Sequence, residues 1–113
     1  MTSIQRYHAY RVHLDPVIGG EVRKTRPAVV ISDSAMNRRL DTVVVCPVTS
    51  RLHPHWPSRV QCELAGQPAE IAIDRIRTVS RRRIGEEVGT VSQEVAAAIR
   101  HVITEMYGVL SVE

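Results

Sequence analysis

A polar, glycine-led segment that precedes a strongly apolar run is the first candidate for chemistry. It reads Gly19-Gly20-Glu21-Val22-Arg23-Lys24-Thr25-Arg26-Pro27 and carries three basic residues. Loops that a buried strand anchors are typical places for binding and catalytic residues. Guanidinium groups at such a place favour an anionic ligand, because their planar fork matches the oxygens of a phosphate. For Arg26 taken alone, a solvated residue at the entry to the strand is the competing interpretation.

Two further segments carry hydroxyl and guanidinium groups. Pro47–Ser50 ends a β-branched run with the two hydroxyls of Thr49 and Ser50, and the arginines of 74–78 and 81–83 give a later strand a basic outer face. Each has a plain alternative, because Thr49 and Ser50 also suit a turn-capping pair and the arginine triplet suits a solvated turn. From these residues alone, we predict a basic β protein that contacts phosphate.

The segment from Thr49 to Ser58 is predicted to be a long loop and holds His53, His55 and Trp56. Histidine suits proton transfer because its unperturbed pKa is about 6.5, so His53 and His55 are candidates to overhang the site. Trp56 is equally suited to stack on an unpaired base and to anchor the loop by hydrophobic contact. Because the two histidines lack further ligands at a useful spacing, we predict no metal site.

The hydrophobic pattern predicts five or six strands followed by one helix. Residues 10–14, 28–31, 42–48 and 59–64 read as strands, and the apolar positions of 71–79 continue the pattern. Asp33 and Ser34 suit the cap of a brief helical turn. Apolar residues from Val95 to Met106 then recur at helical spacing, with Ser92 or Thr90 as the cap and Gly108 as the stop. The expected fold is mainly β, a small barrel or sandwich, with a C-terminal helix.

Charge divides the chain into two unequal parts. Through Arg83 there are 14 basic and 7 acidic residues, a formal charge of +7, whereas the rest has one arginine and five glutamates, a formal −4. We therefore expect the first part to meet the partner. Fourteen of the 15 basic residues are arginine, which suits a nucleic-acid ligand and is explained equally well by codon bias.

Length and composition exclude several classes of protein. A chain of 113 residues with 43% hydrophobic and 24% charged residues is one globular domain, 1–113, rather than a disordered or disulfide-dense chain. It has no apolar run long enough to span a membrane and no visible signal peptide, so the cytoplasm is the expected location. We interpret Cys46 and Cys62 as buried thiols.

Five motifs in order resemble those of one family. They are Gly19-Gly20-Glu21; Arg26-Pro27-Ala28-Val29-Val30-Ile31-Ser32; Asn37; Val44-Val45-Cys46-Pro47-Val48-Thr49-Ser50; and Asp74-Arg75-Ile76-Arg77-Thr78-Val79. Together they resemble the MazF/PemK toxins of bacterial toxin–antitoxin pairs, which are sequence-specific endoribonucleases. The resemblance runs from about Arg6 to Leu110. It implies an SH3-like small β-barrel with a C-terminal helix, usually a homodimer.

The resemblance also implies an activity and a set of site residues. Arg26 and Thr49 match the family's catalytic pair, and the reaction is a metal-independent cleavage of single-stranded RNA that needs no cofactor. The ribose 2′-OH attacks phosphorus, leaving 2′,3′-cyclic phosphate and 5′-OH ends. Since an arginine with a pKa above ~12 makes a poor base, Arg26 is assigned to stabilising the phosphorane. The residues expected to bind RNA are Glu21, Lys24, Ser50, Arg75, Arg77, Arg81, Arg82 and Arg83.

Partners and departures follow from the same resemblance. The basic face is expected to bind a cognate antitoxin through an acidic, disordered arm. The chain departs from the family pattern at Arg6-Tyr7-His8, at Gly20 and Val22, and at Arg75, which bears on the RNA sequence that is read. Two alternatives keep the fold and drop the chemistry. One is a toxin that binds a protein, as the gyrase-directed toxins do, and the other is a non-catalytic RNA-binding barrel.

Overall fold

Seven strands and two helices form the part of the chain that the computed structural model describes, residues 3–14 and 25–108. The strands are β1 His8–His13, β2 Thr25–Val30, β3 Thr42–Thr49, β4 Arg59–Leu64, β5 Gln67–Ala72, β6 Arg77–Ser80 and β7 Ile84–Thr90. The helices are α1 Ser34–Asn37 and α2 Gln93–Tyr107, and 3₁₀ turns occupy Ile73–Arg75 and Arg81–Arg83. The predicted mainly β fold with a C-terminal helix is confirmed.

The strands form one antiparallel sheet in the order β4-β5-β3-β2-β1-β7, with β6 also paired to β3. The sheet curls until its two ends approach each other. Gly89 on β7 lies so close to β4 that a Cβ atom there would sit 3.0 Å from Leu64 Cδ1. Strand β3 is the centre of this half-barrel, because it pairs with β2, β5 and β6.

Alternating side chains build a hydrophobic core on each face of the sheet. Ala9, Val29, Cys46 and Ile71 contribute to the core that α2 covers with Ile99 and Val102. Their neighbours along the strands point the other way, into a second core of residues Ile4, Tyr10, Val12, Leu14, Ala28, Val30, Val43, Val45 and Val79. This period of two is why the sequence pattern predicts these strands well.

Both cysteines are free thiols, as interpreted from the sequence. Cys46 is fully buried as expected, whereas Cys62 is only half-buried. Burial raises the pKa of the Cys46 thiol to about 12, and the negative charge of Asp74 adds to the shift.

The predicted helix boundaries are confirmed. The Ser92 hydroxyl accepts a hydrogen bond from the Val95 N–H, and the Gly108 N–H donates to the Thr104 carbonyl. Asp33 caps α1 by accepting from the N–H groups of Ala35 and Met36, as its sequence position predicts.

The strand prediction missed one strand. The apolar positions of 71–79 fall on two short strands, β5 and β6, and on the turn between them, as the pattern of short strands predicts, but β7 was not identified. In β7, two glycines and the adjacent Glu86 and Glu87 hide the alternation, and its pairing with β1 contains register shifts. A bulged strand at the edge of a sheet loses the period of two on which the prediction depends.

Carboxylates of the acidic C-terminal part pair within the sheet. Glu87 Oε1 lies 2.7 Å from His8 Nδ1, and Glu86 Oε1 lies 3.3 Å from Arg11 Nε. These contacts join β7 to β1.

Candidate active site

Arg26 and Thr49 lie at the same end of two neighbouring strands. The register of β2 and β3 pairs Ala28 with Pro47, and its continuation by two residues places Arg26 opposite Thr49. Arg26 is exposed and Thr49 is half-buried, so both side chains are accessible to a ligand. The antiparallel pairing therefore brings together the two residues that the sequence analysis selects as catalytic.

Both residues line a cleft of about 700 Å³ whose wall is strongly basic. Within the described residues, this lining contains five arginines and no carboxylate: Arg26, Arg51, Arg59, Arg75 and Arg77. The remaining polar and aromatic lining comes from Thr49, His53 and Trp56. A cleft lined by one sign of charge concentrates oppositely charged ligands, so the geometry favours a polyanion.

A second cleft, of about 320 Å³, shares Arg26 and Thr49 with the first. Ser50, Arg11 and the turn residue Ala65 are also part of its lining. Arg26 and Thr49 thus lie where two clefts meet. This arrangement suits an extended ligand that continues on both sides of the pair.

The Thr49 hydroxyl is oriented by its own backbone turn. Its Oγ1 accepts a hydrogen bond of 3.1 Å from the Arg51 N–H. A hydroxyl has one hydrogen to donate besides its acceptor sites. The turn therefore fixes the oxygen and leaves the hydrogen for donation to an anion in the cleft.

Glu70, which the sequence analysis missed, is the buried centre of a polar network behind this cleft. It has no exposed surface and lies between Thr49 and Gln61 in the strand register. Its carboxylate accepts hydrogen bonds from Arg59 Nη1 at 2.6 Å, from Gln61 Nε2 at 2.7 Å and from the His53 backbone N–H. Burial raises the pKa of Glu70, but these hydrogen bonds outweigh it and lower the pKa to about 2.

Arg59 connects Glu70 to Asp74. Its side chain is 3% exposed, and its Nε donates to Asp74 Oδ1 at 2.7 Å. The hydrogen bond with Asp74 is the main cause that raises the Arg59 pKa, and the same bond lowers the pKa of Asp74. A buried guanidinium between two carboxylates stays charged and fixed in position.

The loop from 50 to 58 is attached to this network. His53 contributes its backbone N–H and its Nδ1 atom, which lies 3.2 Å from Glu70 Oε2. The Trp56 ring stacks on the His53 ring with 3.9 Å between centroids, and Arg59 Cζ lies 4.6 Å from the Trp56 centroid. The predicted loop is confirmed. The Glu70–Arg59 network contacts two of the loop's rings, the imidazole of His53 and the indole of Trp56.

A signal for Glu70 was present in the sequence. It is the single charged residue in the apolar run Ala69–Ile73, and a charge in such a run requires a partner. The partners Arg59 and Gln61 lie two residues apart on β4, on the strand face that meets Glu70. The alternation of residues 59–64 predicted a strand there, but the sequence analysis gave no role to Arg59, Gln61 or Glu70.

The remaining predicted site residues are distributed over three places. Arg75 and Arg77 line the main cleft, where Arg77 Nη1 also donates to the Leu14 carbonyl at 3.2 Å. Arg81 and Arg82 line a different cavity, and Arg83 Nη1 donates to the His13 carbonyl at 2.9 Å.

His55 is exposed on the loop. Glu21 and Lys24 lie outside the described residues. The roles assigned to these residues and to the second arginine cluster stay predictions.

Neither a metal cluster nor a membrane span is found in the described part of the chain. Over residues 3–14 and 25–108, no three histidine, cysteine, aspartate or glutamate side chains are grouped to hold a metal ion. In the same ranges, no helix has the length and apolar character needed to cross a membrane.

Comparison with known proteins gives one consistent family. A family model described as the PemK-like, MazF-like toxin of type II toxin–antitoxin systems matches residues 5–107. The crystal structure of MazF from Deinococcus radiodurans is 26% identical with a TM-score of 0.80, over 96% of this chain and 100% of that one. A chain of the MazE–MazF complex from the same organism is 25% identical with a TM-score of 0.82, over 97% of this chain and 100% of that one.

A mycobacterial protein shares the fold at lower identity. It is an endoribonuclease, 20% identical with a TM-score of 0.79, and the match covers 99% of this chain and 98% of that one. These matches confirm the SH3-like small-barrel fold with a C-terminal helix that the sequence resemblance implies. With nearly the whole chain matched by the family model, the protein belongs to the PemK-like, MazF-like toxins of type II toxin–antitoxin systems.

Proposed function

We propose that this toxin is an endoribonuclease that cuts single-stranded RNA without a metal ion or cofactor. The observation that carries the proposal is that Arg26 on β2 and Thr49 on the neighbouring β3 line one cleft, whose described lining holds five arginines and no carboxylate. The family membership supports it, as does the naming of a structural neighbour as an endoribonuclease.

The proposed reaction uses the substrate's own hydroxyl as the nucleophile. The ribose 2′ oxygen bonds to the adjacent phosphorus and passes its proton to solvent, while the bond from phosphorus to the 5′ oxygen breaks and that oxygen takes a proton from solvent. The products are a 2′,3′-cyclic phosphate and a 5′-hydroxyl. Arg26 holds two phosphate oxygens as negative charge builds on them, and the Thr49 hydroxyl donates to the same group.

The cleft residues on either side of this pair hold the rest of the strand. Arg51, Arg75 and Arg77 contact phosphates on one side, and Ser50 lies on the other, where the second cleft begins. Phosphate contacts of this kind set position and affinity rather than sequence preference. Glu21, Lys24 and the cluster Arg81–Arg83 are proposed to extend the same surface.

The test is cleavage of a long single-stranded RNA, with the new 5′ ends mapped. We expect cutting that EDTA leaves unchanged and that stops when the scissile ribose is replaced by 2′-deoxyribose, while binding remains. Normal cutting of the 2′-deoxy strand would show attack by water and overturn the mechanism. RNA that is bound but left intact would identify a non-catalytic RNA-binding barrel.

Variants of the pair sharpen the same test. Arg26→Lys keeps the charge but removes the bidentate fork, so we expect it to be inactive. Thr49→Ala removes one preorganised donor and should lower the rate by a factor of about 10² to 10³. Arg38→Lys, which changes an exposed residue after α1, is the matched control. Equal rates for Arg26→Lys and Arg38→Lys would contradict the role given to Arg26.

Partners are proposed on the same basis. Solved neighbours include MazE–MazF complexes from Deinococcus radiodurans and an endoribonuclease with its cognate antitoxin from a mycobacterial species. We propose that this chain binds a cognate antitoxin whose acidic, disordered arm lies on the basic cleft. The toxin is proposed to act in the cytoplasm, as a homodimer.

A further inference from the structure

Trp56 stands at the wall of the basic cleft with almost half of its surface accessible. It is 47% exposed, although tryptophan is a residue that proteins usually bury to a large extent. It is also the single tryptophan of the chain. An indole held in this position needs an explanation beyond hydrophobic anchoring of the loop.

Both close partners of the indole lie on the same face of the ring. The His53 centroid and Arg59 Cζ are 3.9 Å and 4.6 Å from the Trp56 centroid, and Arg59 Nη1 is only 3.4 Å from His53 Nδ1. If the imidazole and the guanidinium lay on opposite faces of the indole, Arg59 Nη1 could not come within 3.4 Å of His53 Nδ1. The described aromatic and cationic partners of Trp56 therefore leave its second face uncovered.

The two groups that pack on the indole, the Arg59 guanidinium and the His53 imidazole, are held in place by buried carboxylates. Arg59 is fixed by Glu70 and Asp74, with donor–acceptor distances of 2.6 and 2.7 Å. His53 is fixed by its backbone N–H and its ring nitrogen, which both contact Glu70. A ligand that meets the indole thus does not have to order it first, and preorganisation of this kind favours binding.

The residues around Trp56 determine which kind of aromatic ligand can stack on the uncovered face of its indole. The same cleft contains Arg26, Arg51, Arg75 and Arg77 and no described carboxylate. A single-stranded nucleic acid has flat bases and negatively charged phosphates. Its bases can stack on the aromatic side chain, and its phosphates can bind the surrounding guanidinium groups. A peptide aromatic would use the indole and leave the arginines without anionic partners.

We propose that the open face of Trp56 is a stacking subsite for one unpaired nucleobase of the strand whose phosphates occupy the arginine cleft. This inference rests on the proposed function, since it takes single-stranded nucleic acid as the ligand. Glu70 and Arg59 are its positioning residues, and Trp56 and the base make the contact. Stacking of one base on an aromatic side chain strengthens binding by roughly 5- to 150-fold.

The experiment uses the intact chain. Quenching of its single tryptophan reports stacking, and the fluorescence anisotropy of a dye attached to the strand reports binding, also in variants that lack the tryptophan. One probe is a short single-stranded DNA of mixed sequence, which lacks the 2′-OH and is not cut. The other is an abasic sugar–phosphate strand of equal length and charge. We expect the DNA to quench Trp56 and to bind roughly 5- to 150-fold more tightly than the abasic strand. The abasic strand should bind through its phosphates without quenching.

Variants separate stacking from a structural role of the indole. Trp56→Phe keeps an aromatic face and should keep most of the preference for the strand with bases. Trp56→Leu keeps apolar bulk and should bind both strands equally. Leu52→Ala, which changes another exposed apolar residue of the loop, should behave like the parent chain. Thermal unfolding confirms that each variant is folded.

The outcomes distinguish this inference from the proposed function. The chain could cleave RNA and still show neither quenching by DNA nor a preference for DNA over the abasic strand. That result would overturn the subsite and leave the proposed function standing. Quenching by DNA together with a loss of preference in Trp56→Leu would support the subsite even if RNA were never cut. Failure of both strands to bind would overturn the subsite.

Discussion

Glu70 is the residue on which the site loop depends, and its ionisation should be visible in the stability of the protein. Hydrogen bonds hold its pKa at about 2 in the folded chain, below its ordinary 4.5. Because the folded-state pKa is the lower one, the stabilisation is complete above about pH 5 and is lost as the pH falls toward 2. We expect the free energy of unfolding by urea to decrease over that interval.

Glu70→Gln should flatten this pH dependence, because it removes the titrating group while keeping the size of the side chain. Its NH2 group is a donor where the carboxylate has an accepting oxygen, so at least one of the hydrogen bonds is lost. At neutral pH it should cost about 1.5–3 kcal/mol, the range for hydrogen bonds to charged groups. Some dependence should remain, since Asp74 also has a lowered pKa. The matched control is Glu63→Gln, at an exposed position on the neighbouring strand. An identical slope in Glu70→Gln and in the parent chain would rule out Glu70 as the source.

At the residue scale, the sequence motif selected Arg26 and Thr49 as candidates, and their catalytic role stays a prediction, whereas the network that supports the neighbouring loop was not predicted. Arg59, Glu70 and Asp74 belong to two strands and a turn, and their contacts depend on how β4 and β5 are aligned. Alignment of strands is a long-range property that periodicity does not contain. His53 and Trp56 were recognised as site candidates, whereas the stacking between them required the fold.

At the scale of elements, the β4–β5 hairpin sets the alignment of Glu70 with Gln61. Its turn consists of Ala65 and Gly66, which have φ values of 52° and 78°. Positive φ at both central residues is the requirement of a type I′ turn, in which asparagine followed by glycine is the preferred pair. Ala65 is therefore in a conformation that its Cβ atom disfavours.

Ala65→Asn should stabilise the protein by about 0.5–1 kcal/mol, because asparagine tolerates the left-handed region better. Thermal unfolding followed by circular dichroism should show a midpoint higher by a few degrees. Gly66→Ala should have the opposite effect of about 1 kcal/mol. No atom lies within 4 Å of the added Cβ, so the loss would come from the backbone alone. A midpoint lowered by Ala65→Asn would contradict this account of the turn.

Elements with a strong local pattern were predictable, and elements defined by distant partners were not. The α2 helix has a cap, an apolar stripe and a glycine stop within its own sequence, and all three lie where expected. β7 is specified mainly by its pairing with β1, including the contact between Glu87 and His8. A strand of that kind becomes recognisable only when its partner is known.

At the scale of the whole molecule, salt dependence tests the path of the proposed RNA ligand. Each phosphate contact on a single strand contributes about 0.7 to the slope of log K against log salt. Arg75→Ala and Arg77→Ala, which remove cleft arginines, should each lower the slope by about that amount. The same decrease in Arg82→Ala would extend the RNA path to the second cavity, and an unchanged slope would confine the RNA to the main cleft. If no arginine variant changed the slope, the cleft would not be the phosphate site.

The proposed homodimer can be tested by its mass in solution. The large apolar side chains that the described part of the chain leaves exposed include Met36, Leu40, Met106 and Tyr107, each between 38% and 54% exposed. A chain of this size also has a limited core of its own. Light scattering at micromolar concentration should give twice the 12.7 kDa of one chain. A particle of 12.7 kDa under the same conditions would exclude the dimer.

The main cleft collects side chains that are far apart in the order of synthesis, from Arg26 on β2 to Arg77 on β6. A chain growing on a ribosome consequently has no complete cleft until Arg77 has emerged. The helix α2, which covers one core of the sheet, is made later still. We therefore expect the proposed RNA cleavage to require a chain that extends past Arg77, and a fragment that ends before β6 to be inactive.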